Sequence, residues 1–334
     1  MPMVSIIIPT FNNNTTVYKA IDSALKQSYS NVEIILVDDF SRENIALELQ
    51  SYCKYNNVKY IRNKFNLGYK KNFDFCWNLA TGKYVILLHH DDRMLDRMIE
   101  KYVEVLELNP KVGAICSRSL QNVNNKITNS KTLSNKNKAV RIYSMQDFFT
   151  LYLTEGHPEI ATLMLRTKMI QESESLYFYH ADMLFYDDYC FWIDLSIQTS
   201  IAICSYPFLV RGITKNQTGY IERNRGKQNK KLYCDLMFKY IEWVYRKINI
   251  YCVDKVLLNS WLKINACRYY LIYANKVNKT NLFNFINKND FISNNTLCST
   301  YNIYVFIVFL PYPIDACVYE IGRIIKNVIK CIKI

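Results

Sequence analysis

The sequence has no CxxC pair, and its eleven cysteines are scattered and odd in number. Neither a zinc site nor a disulfide framework follows from that pattern, and a reducing cytoplasm is the simpler expectation. No run of about eighteen apolar residues occurs, so no spanning helix is expected. Met1 to Asn12 has no basic segment, and its apolar run is too short for a signal peptide. There is no GxGxxG and no GxxxxGK[ST], which disfavours a dinucleotide fold and a P-loop. None of the RNA-binding signatures appears, so nucleic acid is not an expected partner.

What is present is apolar mass and uneven charge. Half of the 334 residues are hydrophobic, enough for a large core and against wholesale disorder. The length allows two or three domains. Residues 1–210 hold 22 basic and 22 acidic side chains, whereas residues 211–334 hold 20 basic and 7 acidic and so carry the whole net charge of +13. A basic C-terminal region by its charge suits an anionic partner, whether membrane surface, nucleotide phosphate or nucleic acid; the plain alternative is a solvated basic surface.

The stretch Lys83 to Asp92, KYVILLHHDD, organises the rest. Tyr84 to Leu88 reads as a buried strand that ends on two histidines and two aspartates, and the chain has only four histidines. Open α/β sheets bind ligands at the carboxyl ends of their strands. Carboxylates there can hold a hard divalent cation, which can hold phosphate. The alternative is a strand followed by a helix that Asp92 caps.

Around it the chain alternates. Val4 to Ile8, Val32 to Val37, Val58 to Ile61 and Val112 to Cys116 read as strands. Helical spacing appears after Thr15 or Thr16, from about Asn44 to Tyr55, from Tyr69 to Leu79 and from about Leu95 to Leu108. Asn66-Leu67-Gly68 is a turn. This alternation predicts an α/β fold with a mostly parallel sheet and helices on both faces. Paired aspartates close two of the strands, at 38–39 and 91–92, and right-handed crossovers would bring those ends to one edge. Farther on, Asn122 to Asn137 reads as an exposed loop, Met145 to Leu153 as a short helix, and Ile160 to Arg166, Ile201 to Cys204 and Phe208 to Val210 as strands.

In order, IIIPTFN, VEIILVDDFS, NLGYKKNFDFCWNLATGKYVILLHHDD and YDDYCFWIDL resemble a family 2 glycosyltransferase of the GT-A fold, over roughly residues 3–215. The resemblance implies an inverting transferase that uses a nucleotide-diphosphate sugar and a divalent metal, Mn²⁺ or Mg²⁺. It implies that Pro9, Thr10, Phe11, Asn12 and Asp39 hold base and ribose, with the Asp39 carboxylate accepting from a uracil N–H. Lys71 falls where the family often has a basic residue near the nucleotide. For Phe11 and Lys71 taken alone, packing and a solvated helix face are the competing readings.

The chain departs from the family at D-x-D, where it has His89-His90-Asp91 and then Asp92. Asp91 is the expected metal contact. His89 can donate to the donor or ligate metal as neutral imidazole, and His90 lies beside it. The lost carboxylate favours manganese over magnesium. In YDDYCFWIDL the resemblance makes Asp188 the general base, against the alternative of two acids placed at a helix N-terminus by the macrodipole. Arg211 is where the family has an arginine. The histidine that often follows is replaced by Lys215, which can pair with a diphosphate as a point charge.

From about Lys227 no family motif is legible. Leu232 to Ile248 and Val256 to Ala274 read as amphipathic helices. Ile321 to Ile332 carries apolar residues at helical spacing with Arg323, Lys326, Lys330 and Lys333 on the other face, which suits an anionic membrane surface. The expectation is therefore a GT-A domain over 1–220 and a helical C-terminal region over 221–334. The expected location is cytoplasmic, either free or peripheral on the inner face of the cell membrane. It would move a sugar from a UDP-sugar to a glycan or lipid-linked acceptor in surface polysaccharide synthesis. A nucleotidyltransferase and a non-catalytic binding module are the rivals.

Overall fold

The structure is a computed structural model. It describes residues 1–13, 15–123, 126–129, 140–173, 176, 183, 186–213, 230–251, 254–262 and 265. The chain divides into two compact units, Met1–Ile221 and Glu222–Ile334.

The first unit is built on four parallel strands: β1 Val4–Thr10, β2 Val32–Asp38, β3 Val58–Arg62 and β4 Tyr84–Leu87. They lie in the order β3-β2-β1-β4, with Ile7 of β1 between Ile35 of β2 and Leu87 of β4. Every residue of β1 is buried, because helices cover both faces of the sheet. That is why these strands read as unbroken apolar runs rather than alternating ones. The connecting helices are α1 Val17–Leu25, α2 Glu43–Gln50 and α3 Tyr69–Trp77. Thr16 is the N-cap residue of α1, but its side chain makes no capping bond. Asn13 stands in for it, its Oδ1 accepting from the N–H groups of Thr15 and Thr16 at 3.1 and 3.0 Å in the turn that leads into the helix.

Beyond β4 come β5 Arg93–Met94, α4 Met98–Leu108, β6 Val112–Val123, β7 Lys126–Asn129, β8 Val140–Tyr143, α5 Met145–Thr154, β9 Met164–Arg166, α6 Thr167–Gln171, α7 Asp187–Gln198 and β10 Ser200–Ile213. β9 inserts antiparallel between β4 and β6. β10 runs parallel to β6, and it also pairs antiparallel with β8 through Ile201–Cys204 and with β5 through Leu209–Val210.

Several boundaries differ from the sequence reading. Asp92 caps no helix. Residues 93–95 are drawn onto β10, where the Leu95 N–H donates to the Phe208 carbonyl at 2.8 Å, so α4 starts only at Met98. The two short strands expected near 201 and 208 are one strand, irregular at Pro207, which has no N–H to give the ladder. The helix expected to Tyr55 tightens after Gln50 into a 3₁₀ turn, Ser51–Lys54. Of the strand expected at Ile160 to Arg166, only Met164–Arg166 is extended, after a 3₁₀ turn over Ile160–Thr162. Part of the expected loop after Asn122 is the β6–β7 hairpin.

In the second unit, α8 Lys230–Ile250 and a helical segment over 255–262 are described, and the Tyr240 and Trp261 rings meet edge to face at 6.2 Å. The stretch 321–334 and most of 256–274 lie outside the described residues. Among the described residues no helix is long and apolar enough to cross a membrane.

At the amino ends of the strands, Glu33 ties the sheet together. Its carboxylate accepts from the Ser5 hydroxyl at 2.5 Å, from the Thr81 N–H and hydroxyl at 2.9 and 2.6 Å, and from Lys59 Nζ at 3.0 Å. Burial pushes the carboxyl up, but the Ser5, Thr81 and Lys59 donors outweigh it and hold Glu33 at about 2 instead of 4.5. A carboxyl depressed on folding stabilises above its unfolded pKa and loses that contribution as pH falls toward the folded value. We expect Glu33→Gln to cost on the order of 2–3 kcal/mol at pH 7. Urea unfolding should show the gap to wild type closing as pH is lowered from 4.5 toward 2. A pH-independent gap would contradict this role.

Candidate active site

The carboxyl ends of β1, β2 and β4 lie side by side, and the polar residues that terminate them form one edge. Pro9 and Thr10 are buried at the end of β1, and Thr10 sits opposite Asp38. The Thr10 hydroxyl is buried with no hydrogen-bond partner. Beyond it the chain turns sharply. Asn12 adopts the left-handed region at φ 48°, with its N–H donating to Ser41 Oγ at 2.9 Å and its Oδ1 accepting from the Arg42 N–H at 3.0 Å. Phe11 is left outward, 45% exposed. After β2, Phe40 also adopts the left-handed region, at φ 66°, costly for a bulky residue. Its half-exposed ring lies under the Arg62 guanidinium at 5.1 Å.

Asp38 and Asp39 divide the labour. Asp38 is fully buried and accepts from the Ser41 N–H at 2.9 Å and the Tyr60 hydroxyl at 2.6 Å. The Asp39 carboxylate accepts from the Leu67 and Gly68 N–H groups at 2.8 and 2.9 Å and from Asn63 Nδ2 at 2.8 Å. It therefore pins the turn, with Gly68 at φ 79°, that launches α3. Of its two oxygens, Oδ2 carries only the Gly68 bond.

α3 carries the next contributions. Lys71, singled out in the sequence, is solvent-exposed. Lys70 is the inward residue, 12% exposed, and forms an ion pair with Asp187, 7% exposed, at the first turn of α7. One turn along α3, the Phe73 ring meets the His89 imidazole edge-on at 5.2 Å. Residues three apart on a helix share a face. The two chemical motifs, HHDD and YDDY, therefore meet on the same face of α3.

After β4 the chain makes a tight turn, the Asp92 N–H donating to the His89 carbonyl at 3.0 Å. His89, His90 and Asp91 are partly buried, and Asp92 is 1% exposed. Burial, aided by Arg211 and His90 and opposed by Asp91, holds His89 down at about 4, so the imidazole is neutral at pH 7. Burial and then the Asp91 charge push the Asp92 carboxyl well above the usual carboxylate range, against the pull of Arg211 and the Gly212 N–H. Asp92 Oδ1 accepts from that N–H at 3.0 Å. Asp92 Oδ2 is buried with no hydrogen-bond partner, 3.8 Å from His89 Nδ1.

Potential ligand atoms of His89, Asp91 and Asp92 lie within 4.8 Å of one another. A buried carboxylate oxygen with no donor, a neutral imidazole and a second carboxylate fit a divalent cation, whose charge would reverse the local penalty on Asp92. Arg211, next to Gly212 on β10, pairs with Glu159 at 3.6 Å. Gly212 itself is required by space, since a Cβ there would lie 2.3 Å from the Asp91 carbonyl oxygen.

Asp188 is partly buried on the first turn of α7, and its Oδ1 accepts from the Tyr189 N–H at 3.1 Å. Its neighbour Asp187 is committed to Lys70, so the two acids serve different partners. His157 packs its ring against Tyr189 at 4.0 Å, with Nδ1 2.7 Å from the Pro158 carbonyl. Lys215 lies outside the described residues. The sequence reading names Asp91 as the metal contact and leaves Asp92 between a strand-end carboxylate and a helix cap; it gives Lys70 and Gly212 no part in the site. The repeated Asp of HHDD was the only signal available for Asp92, and none existed for the other two.

Breaking a nearly buried ion pair from one side leaves the other charge uncompensated, at a cost of about 3–5 kcal/mol. We expect Lys70→Met to lower stability by that order, and Lys70→Met with Asp187→Leu to recover most of it, measured by denaturant unfolding. Equal destabilisation of single and double variants would contradict the pairing. Gly212→Ala should leave the fold largely intact but displace the Asp91 loop, weakening Mn²⁺ binding at least tenfold by calorimetry. Unchanged binding would contradict the close approach.

Comparison with known proteins agrees with this geometry. Glycosyl transferase family 2 matches residues 5–172. Two uncharacterized glycosyltransferases of Haemophilus influenzae are similar. One is 34% identical over 113 residues, 34% of this chain and 37% of that protein. The other is 25% identical over 287 residues, 84% of this chain and 85% of that protein. The Escherichia coli UDP-Glc:alpha-D-GlcNAc-diphosphoundecaprenol beta-1,3-glucosyltransferase WfaP is 31% identical over 107 residues, 32% of this chain and 42% of that one. The chain thus spans well under half the length of the first of these relatives and of WfaP. Among solved structures, S. aureus TarS 1-349 in complex with UDP superposes with a TM-score of 0.59 at 14% identity, covering 85% of this chain and 78% of that one. This likeness establishes the GT-A fold. The strand-end acids, the His-Asp-Asp group and the match over half the chain lead to one assignment: the chain belongs to glycosyl transferase family 2 and is a glycosyltransferase.

Proposed function

We propose that the chain transfers a sugar from a UDP-sugar to a hydroxyl of a glycan or lipid-linked oligosaccharide, with inversion at the anomeric carbon, in the synthesis of a surface polysaccharide. The observation that carries the reading is the convergence on α3. Lys70 fixes the start of α7, where Asp188 sits, and Phe73 on the same face touches His89. A donor seated on the strand ends then has its diphosphate at one acidic group and its sugar toward the other.

Asp188 acts as general base. Its carboxylate takes the proton of the acceptor hydroxyl as that oxygen attacks, a role worth on the order of 10² to 10⁴ in rate. Attack from the face opposite the leaving diphosphate inverts the centre. Asp187 positions Asp188 rather than sharing its task, because Lys70 holds it. Asp91, Asp92 and His89 would hold a divalent cation, and the chemistry it would supply is positive charge for the departing diphosphate. The mixed imidazole and carboxylate set suits Mn²⁺ better than Mg²⁺. Arg211 adds a fixed guanidinium for phosphate oxygens.

Phe11, Asn12 and Phe40 border the nucleoside, and Asp39 Oδ2 accepts from uracil N–H. The UDP in the TarS complex and the UDP-Glc in the name of WfaP support a uridine donor. The diphosphoundecaprenol-linked substrate in that same name supports a lipid-linked acceptor. The excess of basic side chains over residues 211–334 gives a reason to gather at an anionic membrane surface.

The test is a donor screen that measures nucleoside diphosphate release with and without Mn²⁺, on wild type and Asp188→Asn. Release should depend on a UDP-sugar and on metal. Asp188→Asn should lower kcat by about 10² to 10⁴ while UDP affinity stays unchanged. Full turnover by Asp188→Asn would remove the base from the mechanism.

A further inference from the structure

A second concave site lies between α5 and the strands β6, β8 and β10, with a cavity volume of about 290 Å³. None of the donor-site residues lines it. Its size sits at the lower end of the range of about 300–1,000 Å³ usual for small-molecule sites. Two arginines, Arg118 and Arg141, line it, together with Asp147, Glu155, Tyr143 and Thr150. Arg141 lies over the Tyr143 ring at 4.8 Å, which orients a second guanidinium.

The chemistry of this lining is selective. Two guanidinium groups lining one cavity fit a carboxylate or phosphate group. A bare inorganic anion would meet Asp147 and Glu155 as like charges, and an apolar ligand would strip every polar group without replacement. A ring that carries one anionic group and several hydroxyls satisfies both halves. Its anion meets the arginines, its hydroxyls donate to the acids, and its apolar face can lie on an aromatic ring.

The place is also suited. Glu155 follows the last residue of α5, and two residues later His157 abuts Tyr189, the neighbour of Asp188. On the strand side, Ser119 follows Arg118 and donates to Glu159, the partner of Arg211. The cavity is thus joined to the donor site through short stretches of chain on two sides. We propose that it binds an acidic sugar unit of the acceptor, a uronate or a sugar phosphate, distinct from the unit that reacts. This rests on the glycosyltransferase reading for its glycan context, but its binding chemistry can be tested without turnover.

The experiment is saturation-transfer NMR titration of the full chain with D-glucuronate, glucose 1-phosphate, D-glucose and inorganic phosphate, each in wild type, Arg118→Met and Arg118→Lys. At least one acidic sugar should bind, and which one binds distinguishes uronate from sugar phosphate. Glucose and phosphate should bind at least tenfold more weakly. Arg118→Met should lose at least tenfold in affinity with UDP affinity unchanged, and Arg118→Lys should recover part of it. If Arg118→Met does not fold, Arg141→Met replaces it in the same comparison. The inference is overturned if neither acidic sugar binds wild type, if phosphate binds as tightly as the sugars, or if the arginine variant binds them undiminished. UDP-sugar turnover, measured in parallel, separates this failure from failure of the proposed function.

Discussion

The contact on which the site depends is the approach of β10 to the turn after β4. Gly212 brings its backbone against the Asp91 carbonyl and donates its N–H to Asp92. That contact is possible only because β5 is drawn onto β10 through Leu209–Val210, which fixes the exit of the HHDD turn. Its consequence is electrostatic. Asp92 is taken out of water with one oxygen satisfied and the other not, beside a second carboxylate and an imidazole held neutral. Such an arrangement is unfavourable for anions alone and favourable for a cation. The fold thus stores a preference for metal in a place set by strand pairing.

α3 does for the second half of the site what β10 does for the first. Its start is pinned from below by Asp39, which accepts two N–H groups of the preceding turn. Lys70 then reaches Asp187 and Phe73 reaches His89. A residue proposed to hold uridine is therefore also a residue that orients the helix between the His-Asp-Asp group and the acids of α7. Substitution of Asp39 would disturb both ends of the reaction through geometry as well as contact. The sheet below is held independently, by Glu33 and its donors at the opposite strand ends, so the site and the fold's anchor lie at opposite edges.

The parallel half of the sheet was legible because buried parallel strands write continuous β-branched runs, and because polar residues appear where each strand leaves the core. The resemblance placed the acids in order. What the sequence did not carry was pairing. Met164–Arg166 is three residues long, too short for any periodicity, yet it runs antiparallel between β4 and β6. Arg93–Met94 is two residues long and decides where Asp92 points. Lys70 and Lys71 are adjacent and chemically identical in sequence. Only the phase of α3, set by the Asp39 turn, makes the first the buried partner and the second the solvated one. Asp92 looked like a helix cap because the sheet pairing that delays α4 leaves no local trace.

The central claim is that metal group and base border one cleft, and the scarcity of histidine makes it measurable. His89 is itself a proposed metal ligand and His90 adjoins it, while His157 lies against Tyr189, beside Asp188. In protein labelled only at histidine, with signals assigned by single His→Gln variants, Mn²⁺ added with UDP should broaden the His89 and His90 imidazole signals most. The His157 signal should also broaden, at the same metal concentration. A His157 signal that stays sharp while His89 disappears would place the base beyond reach of the metal-bound donor and contradict the account.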